Sequence, residues 1–231
     1  MTRPAIILVN PQMGENIGFV ARAMGNFGFA DLRLVNPRDG WPSEVAESTA
    51  ANAIEIIKQA RVYDNFDQAV SDCQYLYATS ARLRDFNKEC IDVKNLSEDA
   101  SALNIPVEKI GVVFGGERSG LNNDVVSCVN KIVSIPTNPA NPSMNLAMSA
   151  TLICYELSNF QIKAQRAQDV ATHHEMTIML KHIEEMMDQK NFYKVPEKKE
   201  KMLQNIRNIF FRIPNLTSNE VSTLIGILKS K

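Results

Sequence analysis

Three stretches of this sequence combine residue types that could hold a ligand and act on it. The first is Asn16-Ile17-Gly18-Phe19-Val20-Ala21-Arg22, an amide and a guanidinium six residues apart. A guanidinium is a permanent cation with a planar fork of donors, suited to phosphate or to a developing oxyanion. On one continuous helix the two side chains would point roughly 120° apart, so they share a face only if the helix starts after Asn16. An N-cap role for Asn16, with Arg22 nearly two turns in, meets that condition. The second stretch is Phe114-Gly115-Gly116-Glu117-Arg118-Ser119-Gly120-Leu121, directly after an apolar run. Glycines there let main chain approach a ligand, and a helix starting beyond them has free N–H groups. No Lys follows Gly120, and the pattern is not G-x-G-x-x-G, so neither common phosphate-loop fingerprint applies. The third stretch is 136–145, with Pro136, Pro139 and Pro142 among its residues. Each proline lacks an N–H and holds φ near −65°, so the stretch is neither helix nor central strand. It presents carbonyls and side-chain amides in one rigid arrangement. Taken singly, each stretch has an ordinary reading: a solvated arginine, a tight turn, a strand-to-helix connection.

The elements around them raise a ligand pocket above those readings. AIILVN (5–10), DLRLVN (31–36), YLYATS (75–80), KIGVVFG (109–115) and residues 132–135 read as strands. Helical spacing is expected from Glu15, over 43–60, weakly over 96–104, over 122–129 and from Asn145 onward. The last of these carries Leu146, Met148, Ala150, Leu152, Ile153 and Leu157, apolar on most faces, and reads as buried. Strands alternating with helices imply an α/β fold with a mostly parallel sheet. Ligands of such sheets lie outside the carboxyl ends of the strands. All three stretches follow strands at that end, and so does Ala78-Thr79-Ser80-Ala81-Arg82. From Ser158 the strand signal stops. Residues 170–190, 197–211 and 217–229 read as helices broken by Pro196 and Pro214, an appended helical unit with Met176, Met179 and Met187 at core-like spacing.

With 231 residues and 45% apolar content, the chain suits one large domain, or one domain with an extension. No run of 18 apolar residues and no secretory signal is present, and Cys73, Cys90, Cys128 and Cys154 are scattered. Those features predict a reducing cytoplasm, with no membrane span, disulfide framework or zinc site. His173, His174 and His182 lie in one late segment without a Cys or carboxylate cluster, and read as solvated helix residues rather than ligands. Net charge is −1, but residues 1–159 hold 13 Lys/Arg against 18 Asp/Glu while residues 160–231 hold 12 against 8. The basic surplus of the tail, with Lys181, Lys190, Lys194, Lys198, Lys199, Lys201 and Arg207, permits a nucleic-acid surface there.

In order, N-I-G-F-V-A-R (16–22), F-G-G-E-R-S-G-L (114–121) and I-P-T-N-P-A-N-P-S-M-N-L-A-M-S (135–149) resemble the three ordered motifs of the SPOUT RNA 2′-O-methyltransferases. A-T-S-A-R (78–82) and the helical extension resemble the TrmJ branch, which modifies tRNA. The resemblance implies a methyltransferase domain over 1–160 with a C-terminal trefoil knot, an extension over 161–231 for RNA binding, dimerisation or both, and a homodimer. It implies S-adenosyl-L-methionine as cofactor, held largely through backbone groups by Thr79, Ser80, Ala81, Gly115, Gly116, Ile135, Pro142, Ser143 and Met144, with no metal. Asn16, Arg22, Glu117, Ser143 and Asn145 match the catalytic neighbourhood; Ala140 and Asn141 stand where relatives carry other residues.

The expected activity is 2′-O-methylation of tRNA ribose at nucleotide 32 of the anticodon loop (Cm/Um). Another tRNA position or ribosomal RNA is the alternative, and a non-catalytic RNA-binding module a further one. The lack of an RNA-binding domain before Ala5 counts against many ribosomal-RNA members, and intact Arg22, Ser143 and Asn145 count against the non-catalytic module. The family account makes the arginine a base. A free guanidinium titrates far above neutrality, which leaves open that Arg22 anchors a neighbouring phosphate and stabilises the alkoxide while Ser143 or a water relays the proton. Glu117 reads as an orienting carboxylate, paired with the partner subunit's Arg22 or capping a turn, and Asn145 as an N-cap.

Overall fold

The computed structural model describes residues 3–80, 87–159, 169–193, 195–213 and 215–230. Strand β1 (Ala5–Val9) is buried along its whole length. Its side chains alternate between two cores, Ile6 and Leu8 facing one, Ala5, Ile7 and Val9 the other. A strand covered by helices on both faces reads as an unbroken apolar run, which is the mark of a parallel sheet. Then follow α1 (Gly14–Asn26), β2 (Leu32–Val35), α2 (Glu44–Ala50), α3 (Ile54–Gln59), β3 (Arg61–Tyr63), α4 (Phe66–Ala69), β4 (Tyr75–Thr79), β5 (Cys90–Asp92), α5 (Leu96–Ala102), β6 (Ile110–Gly115), α6 (Asn123–Ser127), β7 (Lys131–Ser134) and α7 (Leu146–Ser158). The sheet runs β3-β2-β1-β6-β4-β7-β5 with every pairing parallel. The loops leaving β1, β4, β6 and β7 therefore share one edge of neighbouring strands.

Two details depart from the sequence reading. The helical span expected over 43–60 is interrupted at Ala51, whose φ is 51°. The expected burial of α7 fails on one side: Met148 is 64% and Tyr155 52% exposed, with Leu152 also at the surface. The four cysteines are free, as their scatter led one to expect. Among the described residues no helix is long and apolar enough to cross a membrane.

The tail forms α8 (His173–Gln189), α9 (Lys199–Phe211) and α10 (Ser218–Lys229). Thr172 and Thr217 start the first and last of these with complete capping boxes. Ala171, Met176, Met179, Phe211 and Val221 pack there with Cys128 of the α/β unit. The seam lies at the amino ends of the strands. The Gln74 amide donates to Val170 O at 2.6 Å, the Asn130 amide to Phe211 O at 3.1 Å, and His173 N to Cys73 O at 2.7 Å.

Of the three histidines read as solvated, His173 is buried. Its ring stacks on Phe211 at 5.0 Å and meets Phe66 edge-on at 5.8 Å. Its neighbours are apolar or neutral, Thr177 lying 3.3 Å from Nδ1. Burial, aided by nearby His174, pulls its pKa from 6.5 down to about 3. The unfolded chain then binds a proton between those limits that the folded chain refuses, so stability is full above pH 6.5 and falls as the pH drops below it. Replacing His173 with Phe should flatten that fall. The wild type is expected to lose about 2 kcal/mol more than His173→Phe between pH 7 and pH 5, read by denaturant melts of both proteins.

Candidate active site

The site is assembled from the inside of the fold outward. Gly115 ends β6, and a Cβ there would sit 2.2 Å from the Gly120 carbonyl carbon. A Cβ on Gly116 would sit 2.3 Å from Asn10 O at the exit of β1. The turn closes by an antiparallel bridge between Gly116 and Gly120, Gly120 N donating to Gly116 O at 2.9 Å, and Gly120 takes φ +66°. These contacts require glycine, and they carry Glu117 toward the start of α1.

There the Glu117 carboxylate is fully engaged. Its Oε2 accepts from Gln12 N at 2.8 Å; its Oε1 accepts from Met13 N at 3.3 Å and from Asn16 Nδ2 at 2.7 Å. Asn16 Oδ1 accepts from Asn145 Nδ2 at 3.0 Å. Asn145 caps α7, its Oδ1 accepting from Ala147 N at 2.8 Å and Met148 N at 3.3 Å. The order of donors and acceptors fixes every amide in the chain: a carboxylate only accepts, so Asn16 must turn its NH2 to Glu117 and its oxygen to Asn145. Glu117 could act as a base only by surrendering bonds that position three loops. Its bonds tie the turn after β6 to the start of α1.

Asn145 is the N-cap expected, whereas Asn16 is not. Helix α1 starts at Gly14, Met13 occupies the cap position without a side-chain bond, and Asn16 is buried in the first turn, 5% exposed. Even so, Asn16 and Arg22 line one groove of about 360 Å³, with Phe19, Asn145, Met148 and Thr151. The long arginine stem spans the angle that separates the two positions on the helix. Arg22 is exposed and has no hydrogen bond or ion pair among the described residues.

On the other side of Glu117 lies a cleft of about 280 Å³. Thr79, Ser80, Gly115, Gly116, Ile135, Pro142, Ser143 and Met144 all line it. Ala81 lies outside the described residues. So the structure brings the eight described cofactor candidates into one cleft, with Glu117 and Ser143 shared between cleft and catalytic group, and leaves Arg22 on the neighbouring groove. The reading from sequence missed Val133, Thr137, Leu146 and Ser149 as cleft walls. Val133 and Thr137 flank Ile135 at alternate positions, a period-2 signal that could have found them. Among the described residues no group of three or more His, Cys, Asp or Glu side chains is placed to hold a metal.

The cleft is at the small end of the usual range for small-molecule sites, roughly 300 to 1,000 Å³. Its make-up fits an adenosyl sulfonium donor. Val133, Leu146 and Leu121 offer apolar walls for a purine, and the two glycines and the proline loop offer main chain at close range. The tail gives less cationic surface than its composition promised. Lys199 is tied to Glu184 and Asp188 at 3.1 and 2.8 Å, and Arg207 to Asp124 and Glu200 at 3.4 and 3.5 Å. Lys194 lies outside the described residues.

The protein is of the parallel α/β class, with glycine, proline and asparagine loops gathered at one edge around a cleft and a groove carrying Arg22 beside it. The chain belongs to the SpoU rRNA methylase family, whose model matches residues 3–155. It is 32% identical to the tRNA (cytidine-2′-O-)-methyltransferase TrmJ of Methanocaldococcus jannaschii, over 97% of this chain and 98% of that one. It is 34% identical to the tRNA (cytidine/uridine-2′-O-)-methyltransferase TrmJ of Salmonella choleraesuis, over 97% and 94%. The crystal structure of TrmJ from Z. mobilis ZM4 superposes with a TM-score of 0.89 at 38% identity, over 97% of each chain. These relatives identify the chain as an RNA ribose methyltransferase of the TrmJ type.

Asn16→Ala removes the central link and leaves Glu117 and Asn145 each short of a partner. An unfolding midpoint lowered by the equivalent of about 1 to 3 kcal/mol, with weaker donor binding in a titration of the purified variant, is the expected result.

Proposed function

We propose that the protein transfers a methyl group from S-adenosyl-L-methionine to a tRNA ribose 2′-OH, at nucleotide 32 of the anticodon loop (Cm/Um). The observation that carries this reading is the hydrogen-bonded wall of Glu117, Asn16 and Asn145, with a purine-sized cleft on one side and a free arginine on the other. The relatives' names support tRNA and the 2′-oxygen, and the likeness to the TrmJ branch supports nucleotide 32.

When bound, the donor supplies an already electrophilic sulfonium methyl. The chain must hold that group, place the hydroxyl in line with it and take away one proton; placement alone can supply much of the rate. Thr79, Ser80, Gly115, Gly116, Ile135, Pro142, Ser143 and Met144 hold the donor in this reading, and Ala81 joins them. Ser143, at the cleft, or a water relays the proton outward, the hydroxyl accepting one proton as it releases its own to solvent water. Among the described residues no carboxylate pairs with Arg22, so in this reading its cation is available to a substrate phosphate and to the charge developing on the ribose oxygen.

The reading includes a homodimer. Phe19, Met148, Leu152 and Tyr155 expose apolar surface on α1 and α7, and the Arg22 groove opens among them. A second copy seated there would meet Arg22. The reading also includes a methyltransferase domain over 1–160, a cytoplasmic setting, and a trefoil knot near the end of that domain. The position of β7 between β4 and β5, which precedes it by some forty residues, supports the knot. The unit 161–231 contributes to RNA binding and dimerisation. Lys181, Lys190, Lys198, Lys201 and Lys229, which have no ion pair among the described residues, are among its available cations.

Incubation with labelled donor and bulk tRNA should place label on ribose at nucleotide 32, and no transfer to any RNA would end the proposal. Arg22→Lys keeps the charge and loses the fork, so turnover is expected to fall about 100-fold while donor affinity stays within about twofold; near-normal turnover would remove Arg22 from the chemistry. Met148→Glu should shift the protein to monomers in sedimentation, with transfer lost alongside.

A further inference from the structure

The α/β unit is acidic, and most of the cations among its described residues have a partner. Six of its described Lys and Arg side chains pair with carboxylates, and Arg3 and Lys88 donate to main-chain carbonyls. Among the described residues 3–159, only Arg22, Lys109 and Arg118 have neither a hydrogen bond nor an ion pair. Lys109 precedes β6 at the amino edge. The other two stand at the carboxyl edge, one on each side of the wall: Arg22 on the groove, Arg118 on the cleft.

Arg118 is placed to stay available. It occupies the middle of the turn that the Gly116 and Gly120 bridge closes, so its backbone is held while its side chain is exposed at the lip of the cleft. The carboxylate next to it in sequence, Glu117, is already shared among three N–H groups and cannot turn to neutralise it. An exposed arginine in an otherwise self-neutralised acidic unit offers its fork to an incoming anion.

We propose that Arg118 grips a phosphodiester of the substrate RNA at the lip of the donor cleft, opposite Arg22, so that the strand is held on both sides of the ribose to be methylated. This rests on the reading that the protein acts on RNA. Exposure at the mouth favours the phosphate of a polymer over a carboxylate of the small donor held deeper in the cleft. Arg118 is then a positioning residue, and its signature is in RNA affinity and salt dependence.

The test uses the full chain with Arg118→Gln and Arg118→Lys. Filter binding of bulk tRNA over a salt series, donor titration without RNA, and methyl transfer at varied tRNA concentration are measured for each. Arg118→Gln should weaken tRNA binding about tenfold and lower the slope of log affinity against log salt by about 1. Donor affinity should stay within about twofold, and Arg118→Lys should recover most of the binding, because a point charge still meets a phosphate. Weakened donor binding with an unchanged salt slope would assign Arg118 to the donor carboxylate and overturn the proposal; so would an unchanged slope with unchanged donor binding. Should the wild type bind tRNA yet transfer no methyl, the proposed reaction fails while the salt slope still decides Arg118.

Discussion

The constraint on which the site depends is directional: a carboxylate that can only accept hydrogen bonds lies at one end, and main-chain amides that can only donate lie at the other. Between Glu117 and the first turn of α7, Asn16 and Asn145 have one consistent orientation each. Flipping either amide sets oxygen against oxygen or NH2 against NH2, and each mismatch in a partly buried place costs more than a bond of this kind contributes. The chain therefore acts as a register pin across segments 101 and 129 residues apart in sequence. It sets the spacing of the loops after β1, β6 and β7, and with it the shape of the cleft.

The long elements were legible in the sequence because the parallel sheet buries both faces of its strands. AIILVN and KIGVVFG match β1 and β6 within a residue or so. The short β3, β5 and α4 were not, since three or four half-exposed residues carry too little periodicity to stand out from loop. Asn16 failed for a different reason. Cap rules are local, and here the acidic partner at the start of α1 is Glu117, brought in from the turn after the neighbouring strand β6, which lets the helix begin without a side-chain cap of its own. Of the site, what could be read was membership: the motif residues line one cleft or its neighbour. What could not be read was their division between cleft and groove, which is set by a wall made of three motifs together.

The same limit explains His173 and α7. A histidine at the start of an amphipathic helix reads as solvated unless the surface it docks on is known, and the seam against Phe66 and Phe211 is a tertiary product. An apolar helix reads as buried, yet Met148, Leu152 and Tyr155 face outward. Hydrophobicity reports the need for cover without saying whether the same chain provides it. The tail's charge surplus was legible as a number only; which cations remain unpaired depends on Asp124, Glu184 and Asp188 lying across from them.

The placement of charge bears on the proton transfer in the proposed reaction. Glu117 is committed to three N–H groups, and among the described residues no carboxylate pairs with Arg22. With a cationic methyl donor in the cleft, an anionic base at its mouth would pair with the sulfonium and weaken as a proton acceptor in the same act. A hydroxyl such as Ser143 avoids that conflict, since it can take a proton from one side and release one to the other while remaining neutral. In the proposed reaction the guanidinium then answers the negative charge that passes over the ribose oxygen. Among the described residues the α/β unit leaves Arg22 and Arg118 unpaired at the carboxyl edge of the sheet, on either side of the wall that Glu117 holds in place.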